Sequence, residues 1–170
     1  DSETADIAVK FSLTGHLVFT TVHANDAPGT ITRLLDIGVA PFLVGSCLNL
    51  VMAQRLVRRI CGKCREEYKP TKEELALIGL KPQSVKGNLY RGKGCTECRN
   101  TGYRGRIAIF EMIPMSREMR KLVYDNANED DIRQAASKRG MESLRNAGNH
   151  RVLDGTTTVE EVLRSTVEEL

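Results

Sequence analysis

The sequence predicts an α/β fold. Three observations predict it: an uncharged β-rich run at 17–22 between helical patterns, an alternating stretch at 54–60, and a helical texture from Ser116 onward. Between the last two, residues 61–105 are rich in Gly, Lys, Arg and Cys and have little periodicity. Such a segment buries little apolar surface and needs a staple.

Asp1-Ser2-Glu3-Thr4 reads as a helix cap already under way. With no methionine at the first position, the chain is expected to be cut from something longer. Residues 3–13 follow as a helix. Ala5, Ala8, Val9 and Ser12 make one face, and Ile7 and Phe11 widen it, so the helix is expected to be mostly buried. Thr14-Gly15 ends it. Leu17–Val22 is expected to be a strand buried on both faces, as in a parallel sheet, with His23 at its C-terminal end. Asn25-Asp26-Ala27-Pro28 is a turn, and Asp26 caps a helix over about 29–37 that stops at Gly38. Pro41 opens a further helix to about Met52, with Cys47 on an apolar surface that makes it core. Gln54–Ile60 alternates as a strand, Lys72–Ile78 is a helix and Arg106–Ile113 a strand. Helices then cover about 116–124, 129–138, 142–153 and 158–167. Ser116 caps one of them, and Thr158 with Glu161 forms a capping box on another.

The 170 residues fit one domain or two small ones, and 41% hydrophobic with 28% charged residues is ordinary for a globular chain. The longest apolar run, near Phe42–Ala53, is interrupted by Gly45, Ser46 and Asn49. No transmembrane helix and no signal peptide are expected.

Cys61-Gly62-Lys63-Cys64 and Cys95-Thr96-Glu97-Cys98 are two Cys-x-x-Cys knuckles. Two residues between thiolates let both sulfurs reach one tetrahedral ion at about 2.3 Å. Glycines beside the knuckles permit the tight backbone. Arg58, Arg59, Lys63, Arg65, Lys93 and Arg99 offset the charge of a four-thiolate complex. The spacer between the knuckles is 30 residues, longer than in most zinc ribbons, and a folded loop containing a helix can fill it. Two disulfides are the competing arrangement, which an intracellular protein disfavours. A redox Cys-x-x-Cys needs only one pair and a thioredoxin-like βαβ setting, which is missing. With four cysteine ligands no position is left for water, so the zinc is structural.

Ligands of open α/β sheets bind at the carboxyl ends of strands, which is where His23 falls. On position alone it reads first as a histidine capping a strand or bonding to backbone. The other reading is a sensor that donates to a γ-phosphate. His150 has no partner in view. No Gly-x-x-x-x-Gly-Lys-[Ser/Thr] occurs: the Gly-Lys pairs at 62–63 and 92–93 run on into Cys64 and Gly94. No acidic residue closes a hydrophobic strand as a magnesium-binding carboxylate would, and no nucleophile elbow is present.

Charge is uneven. Residues 55–106 hold 14 Lys/Arg against five acids, while the whole chain carries only +3. Together with the knuckles, this suits a zinc-stabilised nucleic-acid-binding module. Against it stand 5% aromatic residues and no Trp, which leave only Tyr68, Tyr90 and Tyr103 near the basic segment.

Several segments together carry a resemblance. They are Asp1–Ala5, Thr14-Gly15-His16-Leu17-Val18, Thr21-Val22-His23-Ala24-Asn25, Thr32-Arg33-Leu34, Ala53-Gln54-Arg55-Leu56-Val57-Arg58, Gly102-Tyr103-Arg104-Gly105-Arg106 and the two knuckles. In that order the chain resembles, over essentially its whole length, the C-terminal half of the type II secretion and type IV pilus assembly ATPases. The resemblance implies three parts: 1–60 as the second half of a RecA-like P-loop ATPase core, 61–105 as a tetracysteine zinc subdomain, and 106–170 as a strand plus helical C-terminal subdomain. It implies a hexameric ring on the cytoplasmic face of the bacterial inner membrane, with peripheral membrane association. Such a ring uses ATP and Mg²⁺ to drive assembly of pili or pseudopili. Its partners would be inner-membrane platform and adaptor proteins, with no nucleic acid. By the family's histidine box, His16 and His23 lie near the nucleotide, with His23 sensing the γ-phosphate. The tetracysteine motif matches Cys61, Cys64, Cys95 and Cys98, which retraction ATPases of the superfamily lack. The family's P-loop, aspartate box and magnesium-binding motif would precede residue 1, so these residues alone are expected to be inactive.

Overall fold

A computed structural model describes residues 1–85 and 87–166. The elements run α1 (Ser2–Leu13), α2 (Ala27–Asp36), α3 (Pro41–Cys47), β1 (Leu50–Ile60), β2 (Arg65–Tyr68), α4 (Lys72–Leu77), β3 (Leu89–Gly92), β4 (Tyr103–Pro114), α5 (Arg117–Tyr124), α6 (Glu129–Lys138), α7 (Leu144–Leu153) and α8 (Val159–Ser165). Short 3₁₀ turns lie at Pro82–Ser84 and Thr96–Cys98. Among the described residues β1 pairs with β4, and β2 pairs with β3. The molecule is therefore mixed α/β. No helix of the described residues is long and apolar enough to cross a membrane.

Contacts gather the chain into two compact units. One takes Asp1–Ala53 with Glu111–Glu142; the other takes Gln54–Phe110 and the chain from Ser143 onward. The three segments read from the sequence divide the chain along its length, whereas these units divide it in space.

In the first unit, α3 packs on α5 and α2 on α6. Ala27, Ile31, Val44, Ile113, Met119, Val123 and Ile132 are buried there. Asp26 caps α2 as expected, accepting from Gly29 N at 2.8 Å, and Pro28 occupies the first turn. The buried Glu111 carboxylate accepts from Ala27 N at 2.8 Å, so a side chain of β4 also holds the start of α2.

The second unit has a core of Leu75, Ile78, Leu89, Val152, Val159 and Val162, flanked by Tyr68, Leu80, Val85 and Leu163. Its apolar residues come from the segment between the knuckles and from α7 and α8. Neither part has this core alone.

Four expectations are corrected. Leu17–Val22 is not a strand: Leu17 is 75% and Phe19 88% exposed. A ladder needs a neighbour, and the only pairings among the described residues are β1–β4 and β2–β3. Helix α1 forms where expected but buries no residue, because it packs only along one side, near α3, while its apolar positions face several ways. The helix from Pro41 stops at Cys47, and β1 begins at Leu50 rather than Gln54. Val51, Ala53 and Val57 are buried while Leu50, Met52 and Leu56 are exposed, so period-two burial overrides an apolar run that also read as helix. Thr158 accepts from Glu161 N at 3.2 Å, but the Glu161 carboxylate bonds Arg58 and Arg164 instead of returning to the cap. The full capping box lies at Thr71 and Glu74. Of the helix expected over 158–167, residue 167 lies outside the described residues, as do 168–170 of the C-terminal segment.

Candidate metal centre

The first knuckle sits between β1 and β2, and the second directly follows β3. Strands β2 and β3 are antiparallel, with Arg65 opposite Gly92 and Tyr68 opposite Leu89. The ladder therefore closes the long spacer, with α4 in its loop, and delivers both knuckles to one end of the hairpin. Lys93 N donates to Cys64 O at 3.0 Å, extending the pairing to the first knuckle. Across the ladder, Glu66 pairs with Arg91 at 2.9 Å and Lys93 at 3.1 Å, while Glu67 accepts from Asn88 at 2.8 Å and Tyr90 at 3.2 Å. No sequence signal singled out these two short strands, because four residues of alternating charge and tyrosine carry no hydrophobic period.

Backbone contacts are close where the second knuckle returns. A Cβ on Gly92 would lie 2.0 Å from Gly102 O, so only glycine lets these two main chains approach. Gly102 O in turn accepts from Cys61 N at 2.9 Å. The end of β1 is pinned as well. Ile60 N donates to Thr156 O at 2.8 Å, Thr157 Oγ1 donates to Arg58 O at 2.7 Å, and Arg58 N donates to Glu161 Oε1 at 2.9 Å. Glu161 is fully buried, and its carboxyl is held at about 2. Burial by itself would raise it; the guanidinium donors of Arg164 and Arg58 and the Arg58 N–H outweigh that.

The four cysteine sulfurs all lie within 4.8 Å of one another and none is in a disulfide. Sγ separations are 3.9 Å for Cys61–Cys95, 3.8 Å for Cys64–Cys98 and 3.7 Å for Cys95–Cys98. Four sulfurs at about 2.3 Å from a tetrahedral zinc would stand about 3.8 Å apart, whereas a disulfide would need about 2.05 Å. The donor set and its spacing fit a metal ion.

Cys98 accepts N–H groups from Cys95 at 3.2 Å and Gly102 at 3.3 Å. Burial pushes the Cys98 thiol up, yet these donors and the neighbouring thiols bring it down to about 6. Cys64 is pushed up to about 12, first by burial and then by Cys98, Cys95 and Cys61, against a backbone donor at Gly94. The cluster thus stabilises one thiolate and resists further negative charge unless a cation shares it.

The histidines stand differently. His16 Nδ1 lies 3.0 Å from Thr14 Oγ1, and its ring meets Phe11 edge-on at 5.8 Å. His23 is exposed, and its side chain makes no hydrogen bond among the described residues. Cys47 is half-buried, its Sγ 4.0 Å from Val9 O.

Fold and site together define a mixed α/β protein with a four-cysteine cluster that could hold a metal ion. The chain belongs to the family of type II/IV secretion system proteins, whose model matches residues 1–164. It is 48% identical to the type II secretion system protein E of Pseudomonas aeruginosa over 169 residues, 99% of this chain and 33% of that protein. It is 46% identical to the type IV pilus assembly ATPase PilB of Myxococcus xanthus, covering 98% of this chain and 30% of that protein. It is 43% identical to the type II secretion system ATPase E of Vibrio cholerae, covering 99% of this chain and 33% of that protein. The chain thus spans about a third of the length of these curated relatives.

Proposed function

We propose that these residues are the C-terminal part of a hexameric ATPase that couples ATP hydrolysis to assembly of type IV pili or type II secretion pseudopili. The observation that carries this reading is similarity to ATPases of both machines along essentially the whole chain. Residues 1–60 supply the second half of a RecA-like core, 61–105 the zinc subdomain, and 106–170 a strand with the helical C-terminal subdomain. The ring works at the cytoplasmic face of the inner membrane, as a peripheral membrane protein, with platform and adaptor proteins of the machine as partners.

Cys61, Cys64, Cys95 and Cys98 hold one structural zinc. Sulfur spacings near 3.8 Å support this, and a four-thiolate site leaves no position for a reacting water. ATP and Mg²⁺ act in the full-length protein; the chain alone is inactive, because no P-loop occurs in it.

His16 and His23 lie near the nucleotide, with His23 donating to the γ-phosphate. An exposed imidazole with no partner of its own is free to take one. The test is His23→Ala in the full-length protein, with turnover and nucleotide affinity measured together. Turnover is expected to fall about 100-fold, as for loss of one transition-state donor, with affinity changed far less. Unchanged turnover returns His23 to a structural role.

A further inference from the structure

We propose that a cleft beside the metal centre, in the second unit, binds a phosphate group. The cleft has a volume of about 260 Å³, and its lining includes Arg59, Arg65, Arg104, Gly62, Gly155 and Thr156. Three arginines line it from separate elements: Arg59 at the end of β1, Arg65 at the start of β2 and Arg104 at the start of β4. This goes beyond the motor reading and does not depend on it.

The cationic charge of the cleft is largely unspent. Among the described residues the Arg59 side chain has neither a hydrogen bond nor an ion pair, and Arg65 makes no salt bridge, only a weaker attraction to the Glu67 carboxylate. Only Arg104 is neutralised, by Glu97. The adjoining acids are engaged elsewhere. Glu66 holds Arg91 and Lys93, and Asp154 holds Arg151 at 3.1 Å and the Thr156 N–H at 2.8 Å. Glu67 is drawn below the usual carboxylate range first by Asn88 and Tyr90, and only then by the charge of Arg65.

The site is also shaped. Arg65 lies over the Tyr90 ring, its guanidinium carbon 3.6 Å from the ring centroid. A Cβ on Gly155 would come within 2.2 Å of a terminal nitrogen of Arg65, and Gly155 itself has φ +73°. Glycine at 155 therefore lets the guanidinium lie against the backbone. The fork is held by ring and main chain rather than by an acid, so its N–H groups remain available to a planar or tetrahedral oxyanion. The Thr156 hydroxyl, which makes no hydrogen bond among the described residues, adds an uncharged donor. Arginine forks suit phosphate oxygens, and the volume admits a phosphomonoester or pyrophosphate group.

The test uses the 170-residue chain with its metal content measured. Inorganic phosphate and pyrophosphate are titrated by calorimetry at low salt. Saturable binding of pyrophosphate at one site is expected. The Arg59→Gln/Arg65→Gln double variant should weaken it about 100-fold, roughly tenfold per charged contact. Lys69→Gln, on the same basic segment but outside the cleft, should change it by less than about twofold. Flotation with phosphatidic-acid vesicles, lost in the double variant and absent with phosphatidylcholine alone, identifies a lipid headgroup as the source; pyrophosphate binding without flotation identifies free phosphate. Either result supports a phosphate cleft, and absence of both overturns it. Equal weakening by Lys69→Gln also overturns it, because the binding would then belong to the basic surface at large. If circular dichroism shows the double variant unfolded, the unaltered chain decides. The Nε–H resonances of Arg59 and Arg65 must shift with pyrophosphate, and their failure to shift sinks the proposal.

Discussion

Residues 61–64 and 95–98 are held by a two-stranded ladder, N–H donors to sulfur, and a glycine–glycine approach that admits no side chain. Residues 17–23 are held by far less. Thr14 bonds Phe11 O at 2.8 Å and faces His16, His16 meets Phe11, and the run that follows has no strand beside it among the described residues. Both segments bring their chemistry in short motifs. The difference is where the remaining contacts come from. A cysteine knuckle is set by two covalently adjacent turns and one hairpin, all inside the chain. The run before His23 has no such hairpin or ladder among the described residues.

The sharpest way to break this comparison is to remove the proposed metal. Chelation, or Cys98→Ser, should cost most, since structural zinc contributes about 10 kcal/mol or more to folding in small zinc peptides. Leu75, Ile78 and Leu89 share one core with Val152, Val159 and Val162. Loss of amide-exchange protection should therefore reach α7 and α8 as well as β2 and β3. A melting temperature indifferent to chelator would show that the hairpin, and no ion, builds the site.

Glu161→Gln comes next. It strands Arg58 and Arg164 on a buried acceptor, but both arginines are more than a third exposed. About 2–3 kcal/mol is expected by urea unfolding, below the range for wholly buried pairs. The pH dependence has a definite sign. The folded carboxyl lies at about 2, below its ordinary 4.5. Its stabilisation is thus complete above about 4.5 and disappears as pH falls through about 2. Wild type and Glu161→Gln should converge across that window, and a constant gap would exclude the carboxylate as the cause.

Gly92→Ala sharpens the comparison at a single atom. Its methyl would meet Gly102 O, so about 1–3 kcal/mol is expected, as for overpacking, with weaker metal retention against a colorimetric chelator. Full retention would mean that the two backbones part without disturbing Cys61 and Cys98. The smallest effect belongs to His23→Ala in this chain. An exposed imidazole outside any network should change stability by no more than about 0.5 kcal/mol. A larger loss would place His23 in a structural contact and erase the contrast between the segments.

Much of the fold was legible because its signals are local. Asp26, Ser116 and Thr158 each cap a helix where a short polar side chain precedes apolar spacing. The four thiols were legible for a similar reason, since two residues between sulfurs suit one tetrahedral ion. Other features were not. Glu66 and Glu67 look like solvated charges until β3 lies opposite them. Glu161 reads as a cap partner until Arg58, 103 residues away, takes its carboxylate.

By itself, then, the amino-acid sequence determined the helix starts, the pairing of thiols within each knuckle, and membership of a family recognisable by several separated motifs. Each rests on neighbours within a few bonds or turns. Only the tertiary structure decided that the β2–β3 ladder brings the knuckles together, that α4 shares its core with α7 and α8, and that Leu17–Val22 has no ladder among the described residues. Those outcomes depend on backbone hydrogen bonds and buried surface supplied from distant parts of a chain, which no local pattern encodes.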